Sequence, residues 1–336
     1  MKKRILSGMR PTGPLHIGHL AGALKNWVKL QDEYECYFMI ADWHALMSEY
    51  ASPGLIKEYT VEMMLDWMSC GLDINKSVLF IQSHIPEHLE LYMVFSLLTP
   101  LGWLERNPTY KEQLREIKGR DLTTYAFLGY PVLQGADIAL YKANAVPVGA
   151  DQLPHLELTR ETLRRFHGLY GKNIFPEPDA LLTETPKLLG LDNRKMSKSY
   201  DNFIAISENP DEIKKKIQRM ITDPARIKLS DKGHPHKCTV FSYYKVFTSE
   251  DKVKEVEQYC KNAGKGCTEC KKMMADLLIE YLSPIREKRK WLKEKFEERV
   301  IAPWSDCLKK ARGTAQNTIS EVKDVLHIYH YPDKVK

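Results

Sequence analysis

Two segments of the sequence carry side chains suited to phosphate chemistry. In the first, His16 and His19 stand three residues apart around Gly18, after an apolar run and at the expected start of a helix. Imidazole N–H groups and the free backbone N–H groups of a helix start both bind phosphate oxygens and stabilise negative charge that develops there. Glycine at position 18 lets a nucleotide approach the backbone closely. Taken alone, such a pair is more typical of two solvated histidines in a turn.

The second segment is a polar stretch, Lys195-Met196-Ser197-Lys198-Ser199. It combines two lysines, three residues apart, with two hydroxyl groups. A loop of this kind can close over a triphosphate and place positive charge where a pyrophosphate leaving group becomes more negative. Alone, it would more often be an exposed surface loop.

The elements around these segments must position them. Short apolar runs at 4–8, 36–41, 78–81 and 145–148 alternate with amphipathic stretches. Continuous apolar strands separated by helices are typical of a parallel sheet that is covered on both faces. The sequence therefore predicts an α/β domain built on a Rossmann-like, doubly wound parallel sheet.

After about residue 200 the pattern changes to helical periodicity, at 211–221, 253–261, 270–281 and 284–299. The charge changes as well. Residues 1–200 carry 22 basic and 23 acidic side chains, whereas residues 201–336 carry 28 and 21, so the formal net charge of +6 comes from the second part. A basic module beside a neutral one suggests a partner with phosphates, although a solvated helical surface has the same balance.

Four of the seven cysteines fall within 33 residues, with the spacing C-x21-C-x6-C-x2-C. They are Cys238, Cys260, Cys267 and Cys270. Structural zinc more commonly uses two short C-x-x-C pairs, and one pair with two outlying ligands fits a [4Fe–4S] cluster at least as well. We predict a [4Fe–4S] cluster, with Zn²⁺ and unligated thiols as alternatives. The other three are expected to be inert thiols: Cys36, Cys70 and Cys307.

Length and composition exclude several classes of protein. The chain has 336 residues, of which 43% are hydrophobic, and no window approaches the roughly 18 apolar residues of a membrane-spanning helix. An odd and modest number of cysteines argues against a disulfide framework. We expect a packed cytoplasmic protein without a membrane span.

In this order and about 180 residues apart, the two polar segments resemble the HIGH and KMSKS signatures of class I aminoacyl-tRNA synthetases. Three further stretches resemble the tryptophanyl-tRNA synthetase family within that class: YPVLQGADI at 130–138, VPVGADQ at 146–152 and HLELTR at 155–160. The spacing of Tyr130, Gln134 and Asp137 also resembles tyrosyl-tRNA synthetases. A tyrosine-specific enzyme and a non-catalytic RNA-binding paralogue are therefore the alternatives.

The resemblance implies a reaction in two steps. The carboxylate of tryptophan attacks the α-phosphate of ATP, and the acyl group then passes to the terminal adenosine of tRNA-Trp. Mg²⁺ would be held largely by the ATP phosphates. The implied catalytic residues stabilise charge and form no covalent intermediate: His16, His19, Lys195 and Lys198.

The resemblance also implies two binding sets. Asp137 would accept the indole N–H of tryptophan, and the other residues of this set would hold its polar end or form the pocket walls: Tyr130, Gln134, Gln152, His44, Met9, Val146 and Val148. The ATP-binding set is Gly8, Arg10, Pro11, Thr12, Gly18, His19, Gly149, Asp151, Gln152, Leu188, Lys195, Met196, Ser197, Lys198 and Ser199.

The implied organisation has three parts. Residues 1–190 form the catalytic domain, 191–203 form the KMSKS loop, and 204–336 form a helical anticodon-binding domain with the four-cysteine site. Lys214 to Arg219 and Arg286 to Lys295 would contact tRNA phosphates. A homodimer is expected, with Tyr92 to Leu98 as a candidate interface element.

Overall fold

A five-stranded parallel sheet organises the first part of the chain. The structure is a computed structural model, and it describes residues 2–116, 121–182, 188–196 and 200–329, apart from the side chains of Gln113 and Glu116. The strands are β1 Arg4–Met9, β2 Glu35–Ile40, β3 Ser77–Ile81, β4 Ala145–Val148 and β5 Asp179–Leu182. Their order in the sheet is β3-β2-β1-β4-β5, and every pair is parallel. The predicted Rossmann-like, doubly wound sheet is confirmed.

Helices make up most of the rest of the described chain. In chain order they are α1 Ile17–His19, α2 Lys25–Glu33, α3 Asp42–Glu49, α4 Ile56–Ser69, α5 Glu87–Leu98, α6 Leu101–Glu105, α7 Pro108–Glu116, α8 Tyr125–Leu140, α9 Leu153–Tyr170, α10 Pro210–Arg219, α11 Thr239–Phe247, α12 Glu250–Lys261, α13 Cys267–Glu294 and α14 Ala302–Val325. A π-helical segment, Leu20–Leu24, joins α1 to α2, and a second one, Glu297–Ile301, precedes α14. Short 3₁₀ turns lie at Pro53–Leu55, Gln82–His84, Ala150–Gln152 and Pro235–Lys237. In the described part, no helix is long and apolar enough to cross a bilayer.

Both faces of the sheet are buried, which explains the continuous apolar strands. In β2, Phe38 and Ile40 point into one hydrophobic core, while Tyr37 and Met39 point into the other. Successive side chains of a strand point to opposite faces, so a strand covered on both sides has no polar position to alternate with.

The crevice of this sheet opens where β1 lies between β2 and β4. In the sheet, β2 and β3 lie on one side of β1, and β4 and β5 lie on the other side. Ligands of doubly wound folds bind at the carboxyl ends of the strands at this point. Here those ends are Met9 of β1 and Val148 of β4.

Helix α14 of the helical part packs back against the sheet of the first part. Three small residues spaced by four along α14, Cys307, Ala311 and Ala315, are buried in the core that also holds Tyr37. The Tyr37 hydroxyl lies 3.1 Å from the hydroxyl of Thr314. The α14 helix therefore covers part of one face of the sheet.

A buried ion pair fastens the helical part to the first part. The Arg289 guanidinium on α13 donates to Asp66 on α4 over 2.7 Å, and it also contacts Glu62. Asp66 is only 2% exposed. Separating the two partners would leave a buried charge without its counterion. The pair therefore favours the one register of α13 on α4 that keeps Arg289 against Asp66.

Candidate active site

An open cavity of about 620 Å³ lies at the carboxyl ends of β1 and β4. This volume falls within the roughly 300 to 1000 Å³ of a typical small-molecule site. It gathers a large share of the residues predicted for the amino acid and ATP sites: Gly8, Met9, Arg10, His19, His44, Tyr130, Gln134, Asp137, Val146, Val148, Gly149, Asp151 and Gln152.

Other predicted residues lie elsewhere. Those outside the lining of this cavity are Pro11, Thr12, His16, Gly18, Leu188, Lys195 and Met196. Three more predicted residues, Ser197, Lys198 and Ser199, lie outside the described residues.

Helix α8 presents the central polar residues of the cavity. Tyr130, Gln134 and Asp137 follow at intervals of four and three residues, which places them on one face of the helix. The hydroxyl of Thr124 caps the start of α8 by accepting from the Phe127 N–H over 3.3 Å. A β-carbon on Gly135 would lie 3.3 Å from the Thr159 hydroxyl, so α8 packs closely against α9.

Asp137 is a buried carboxylate with three protein donors. Gln82 Nε2 donates to both of its oxygens, over 2.9 and 3.0 Å, while His88 Nδ1 lies 2.6 Å from Oδ1 and His44 Nε2 lies 2.9 Å from Oδ2. Burial acts to raise the pKa of Asp137, but the hydrogen bond from His44 and the charge and hydrogen bond of His88 outweigh it, and the pKa lies below its ordinary value. The cavity therefore holds a fixed negative charge.

Two of these donors were not predicted from the sequence. Gln82 and His88 are both fully buried, and His88 Nε2 lies 2.9 Å from the Tyr141 hydroxyl, which extends the network away from the cavity. Gln82 directly follows β3. A polar residue just after a strand of a parallel sheet indicates a site residue, so the sequence does carry a signal for Gln82. His88 lies within α5 and has no such signal.

A second network in the cavity joins Tyr130, His155 and Gln152. The Tyr130 hydroxyl lies 2.8 Å from His155 Nε2, and His155 Nδ1 lies 3.1 Å from Gln152 Oε1. Burial lowers the pKa of His155 to about 4 and raises the pKa of Tyr130, so the imidazole and the phenol are both neutral at pH 7. His155 was part of a resembling stretch, but it was not predicted as a site residue.

The histidine pair lies at the start of α1. The His16 backbone N–H donates to Nδ1 of His19 over 3.1 Å, and the two rings lie with their centroids 3.7 Å apart and their planes tilted by 31°. His19 lines the cavity, whereas His16 is 9% exposed and lies against Phe203. The two imidazoles are therefore adjacent but have different surroundings.

The segment after the lysine motif is joined to this helix start. The Ile17 N–H donates to the Ile204 carbonyl over 3.0 Å, and the Ile206 N–H donates to the Leu15 carbonyl over 2.9 Å. A β-carbon on Gly18 would lie 3.3 Å from the sulfur of Met196. The two polar segments therefore meet in the fold, as their shared chemistry requires.

Lys195 is exposed and is held by its backbone. Its carbonyl accepts from Nδ2 of Asn202 over 3.1 Å, and the same amide group donates to Asp192 over 2.7 Å. Lys195 also forms an isolated antiparallel bridge with Leu189. These contacts fix the base of the lysine segment and leave the Lys195 side chain in solvent.

A separate small cavity in the helical part is lined by all four clustered cysteines, together with Arg226, Tyr259 and Lys265. None of the seven cysteines, all of which lie in the described ranges, forms a disulfide. Burial raises the pKa of Cys238, Cys260 and Cys270, that of Cys270 to about 11. Within the described ranges, no three His, Cys, Asp or Glu side chains stand in an arrangement that would hold a metal ion.

Comparison with known proteins assigns the family. A family model described as tRNA synthetases class I (W and Y) matches residues 1–283. The chain is 48% identical to a tryptophan–tRNA ligase of Thermotoga maritima, over 97% of this chain and 99% of that protein. It is 43% identical to a tryptophan–tRNA ligase of Aquifex aeolicus, over 97% of this chain and 100% of that protein.

The solved structures agree with this assignment. Tryptophanyl-tRNA synthetase from Campylobacter jejuni, solved in complex with ADP and tryptophan, superimposes with a TM-score of 0.88 at 33% identity, over 96% of this chain and 99% of that one. The family model covers well over half of the chain, and the curated relatives match along nearly all of it. This chain belongs to the tryptophanyl-tRNA synthetase family of class I aminoacyl-tRNA synthetases.

Proposed function

We propose that the protein joins L-tryptophan to tRNA-Trp, using ATP and a tryptophanyl-adenylate intermediate. The observation that carries this proposal is the buried Asp137 carboxylate, which lies in the same cavity as the strand-to-helix turn at Gly8 and Arg10. One end of the cavity thus offers an acceptor for an indole N–H, and the other offers a backbone turn suited to phosphates.

Asp137 is the proposed indole acceptor. The carboxylate keeps its protein donors whether or not substrate is bound, so discrimination at this position comes from the additional hydrogen bond that an N–H or O–H of the substrate makes. The walls at Met9, Val146 and Val148 are apolar and suit a flat ring system. Tyrosine also offers a donor to a carboxylate, and it is the competing substrate to test.

In the first step, a carboxylate oxygen of tryptophan forms a bond to the α-phosphorus of ATP as the bond to the bridging oxygen of the β-phosphate breaks. Pyrophosphate leaves and carries the additional negative charge. We assign His16, His19, Lys195 and Lys198 to stabilise that charge. Mg²⁺ would be held largely by the phosphates themselves.

The nucleotide is proposed to lie over the end of β1 and the turn after β4. Gly8 lies near the end of β1, where a β-carbon would come 2.9 Å from the Met39 carbonyl, so the close packing of β1 on β2 requires a glycine there. Arg10, Gly149 and Asp151 line the same end of the cavity. In the second step, the terminal adenosine of tRNA attacks the acyl carbon and AMP leaves.

We assign residues 204–336 to the anticodon-binding part. Exposed cations line two helices there: Lys214 and Lys215 on α10, and Lys290 and Lys293 on α13. Lys293 and Lys290 border a shallow groove that also contains Arg286. Such cations contribute salt-dependent contacts to phosphates, and they belong to the basic region 201–336, whose 28 basic and 21 acidic side chains give it a net charge of +7.

The four clustered thiols are proposed to hold a [4Fe–4S] cluster, with Zn²⁺ as the alternative. The support is that all four line one cavity and that their thiolates would match either group chemically. Arg226 Nη1 lies 4.0 Å from Sγ of Cys267, so a cation stands beside the sulfur that would carry negative charge. The cluster or ion would order the loop between α12 and α13.

A homodimer and a cytoplasmic location complete the proposal. The apolar side chains Leu89, Met93 and Leu97 are exposed, and their spacing of four residues places them on one face of α5. Two further exposed apolar side chains, Leu101 and Tyr125, lie on α6 and α8. Tyr92 is only partly exposed and Leu98 is buried, so the proposed contact surface is this face rather than the whole stretch from 92 to 98.

Pyrophosphate exchange into ATP tests the proposal directly. The purified full-length protein is expected to support exchange with L-tryptophan and far less with L-tyrosine, followed by charging of tRNA-Trp. Exchange with tyrosine alone would establish the tyrosyl alternative. Absence of exchange with either amino acid, in a protein that still binds tRNA, would establish the non-catalytic paralogue.

A further inference from the structure

A chain of hydrogen bonds runs along one wall of the cavity, from Tyr130 through His155 and Gln152 to Asp151. The Tyr130 hydroxyl and His155 Nε2 are 2.8 Å apart, and His155 Nδ1 and Gln152 Oε1 are 3.1 Å apart. Gln152 Nε2 donates to Oδ2 of Asp151 over 2.9 Å. His155 is 1% exposed, and it lines the cavity together with Tyr130 and Gln152.

The chemistry of its last member fixes the direction of this chain. An ionised carboxylate only accepts hydrogen bonds, so the amide nitrogen of Gln152 must face Asp151 and the amide oxygen must face His155. That oxygen accepts from Nδ1–H of the imidazole. Burial lowers the pKa of His155 to about 4, so at pH 7 the ring carries one proton and its Nε2 is an acceptor. The Tyr130 O–H therefore donates to Nε2.

This direction determines what Tyr130 offers to a ligand. Its single proton is engaged by His155, and burial raises the pKa of the phenol, so the hydroxyl stays protonated. Only the lone pairs of its oxygen remain for a group in the cavity. A tyrosine without such a partner can turn its proton toward a ligand and donate instead.

We propose that His155 is a positioning residue that makes Tyr130 an acceptor-only group for the ammonium of the bound amino acid. The proposal rests on the proposed function and on the implied place of the polar end of tryptophan near Tyr130, Gln134 and Gln152. The cavity then selects amino acids over related acids that lack the ammonium group. In this role His155 acts through the orientation of one hydroxyl proton.

The test compares two ligands on one full-length variant, His155→Leu. Calorimetric titration gives the dissociation constants of L-tryptophan and of indole-3-propionate, which has the ring and the carboxylate but no ammonium. Loss of a hydrogen bond to a charged group should weaken L-tryptophan binding about tenfold or more, while indole-3-propionate changes by less than about twofold. Equal weakening of both ligands, or of neither, would overturn the role of His155.

Two further variants separate positioning from structural damage. His155→Gln places a carboxamide oxygen near the position of Nε2 and should recover most of the tryptophan affinity. In a Tyr130→Phe background, His155→Leu should cause little further loss, because the hydroxyl that it orients is already absent. Failure of the rescue, or fully additive losses, would contradict the proposal. A wild-type protein without tryptophan-dependent exchange would contradict the proposed function itself. The binding titrations do not depend on exchange, and they would still decide the role of His155.

Discussion

Gly18 packs directly against Met196, which lies far away in the chain. A β-carbon on Gly18 would lie 2.9 Å from Nδ1 of His16 and 3.3 Å from the sulfur of Met196. Met196 is 7% exposed and belongs to the same hydrophobic core as Leu188. The glycine of the first motif is thus the place where the lysine motif contacts the start of α1, and it is required by steric fit as well as by any approach of the nucleotide.

Gly18→Ala should therefore damage adenylate formation. The added methyl group must displace the His16 ring or the Met196 side chain, and a shift of about 1 Å in a catalytic group can cost about 100-fold in rate. Pyrophosphate exchange measures the loss. Gly168→Ala is the matched control, since a β-carbon on Gly168 meets nothing within 4 Å and Gly168 lies within α9. Equal activity of the two variants would contradict the steric argument.

Asp137→Asn should raise the KM for tryptophan by about 10- to 100-fold, because a hydrogen bond to a charged acceptor is replaced by a weaker one. The new amide group would also turn an N–H toward one of the donors His44, His88 and Gln82. Steady-state exchange at varied tryptophan gives the KM. Asp32→Asn, at an exposed carboxylate paired with Lys76, is the control and should behave like wild type.

The same carboxylate predicts a pH dependence of stability. Because the pKa of Asp137 is lowered in the folded chain, the unfolded chain binds its proton more readily. The stability that Asp137 supplies is present above its unfolded pKa, about 3.9, and is lost as the pH falls through the lower folded value. The free energy of unfolding in urea should therefore differ less between wild type and Asp137→Asn near pH 3 than near pH 7. A difference that grows toward acid pH would refute this.

Charge reversal at Lys214 and Lys215, each to Glu, should weaken tRNA charging far more than adenylate formation. Both side chains are exposed on α10, and phosphate contacts from such residues fade with salt. The measurement is the ratio of charging to exchange at low and moderate salt. Lys172→Glu, on the exposed surface of the first part, is the control. Parallel loss of both activities would show that α10 supports the catalytic part instead.

Protein purified without oxygen should be brown and should carry iron and sulfide if the four clustered cysteines hold a [4Fe–4S] cluster. Cys267→Ser should remove the colour. Cys36→Ser, in β2 and away from the cluster cavity, should keep it. Colourless protein with one zinc per chain would establish the alternative ion, and colourless protein without metal would establish free thiols.

Sequence patterns predicted the sheet because β1 to β4 carry short, nearly continuous apolar runs, which are typical of parallel strands covered on both faces. They missed β5, Asp179–Leu182, which is four residues long, lies at the sheet edge and is partly exposed. They also divided α13 near Pro284, whereas the helix runs unbroken from Cys267 to Glu294. Burial of Leu278, Leu282 and Leu292 along that helix shows that packing outweighs the local cost of proline.

The site was predictable to the extent that its chemistry lies in short contiguous stretches. Tyr130, Gln134 and Asp137 share one helix face, and their spacing carries the resemblance. The donors Gln82 and His88 come from separate elements and meet Asp137 only in the folded chain. Partners that pair across the fold leave no periodic signal in the sequence.

The return of α14 to the sheet has a consequence for synthesis. Cys307, Ala311 and Ala315 complete a core that begins with β1 at the amino end of the chain. A ribosome must therefore translate as far as α14 before the face of the sheet around Tyr37 is covered. Until then the nascent chain exposes an apolar sheet surface, and chaperone contact is expected to continue until α14 emerges.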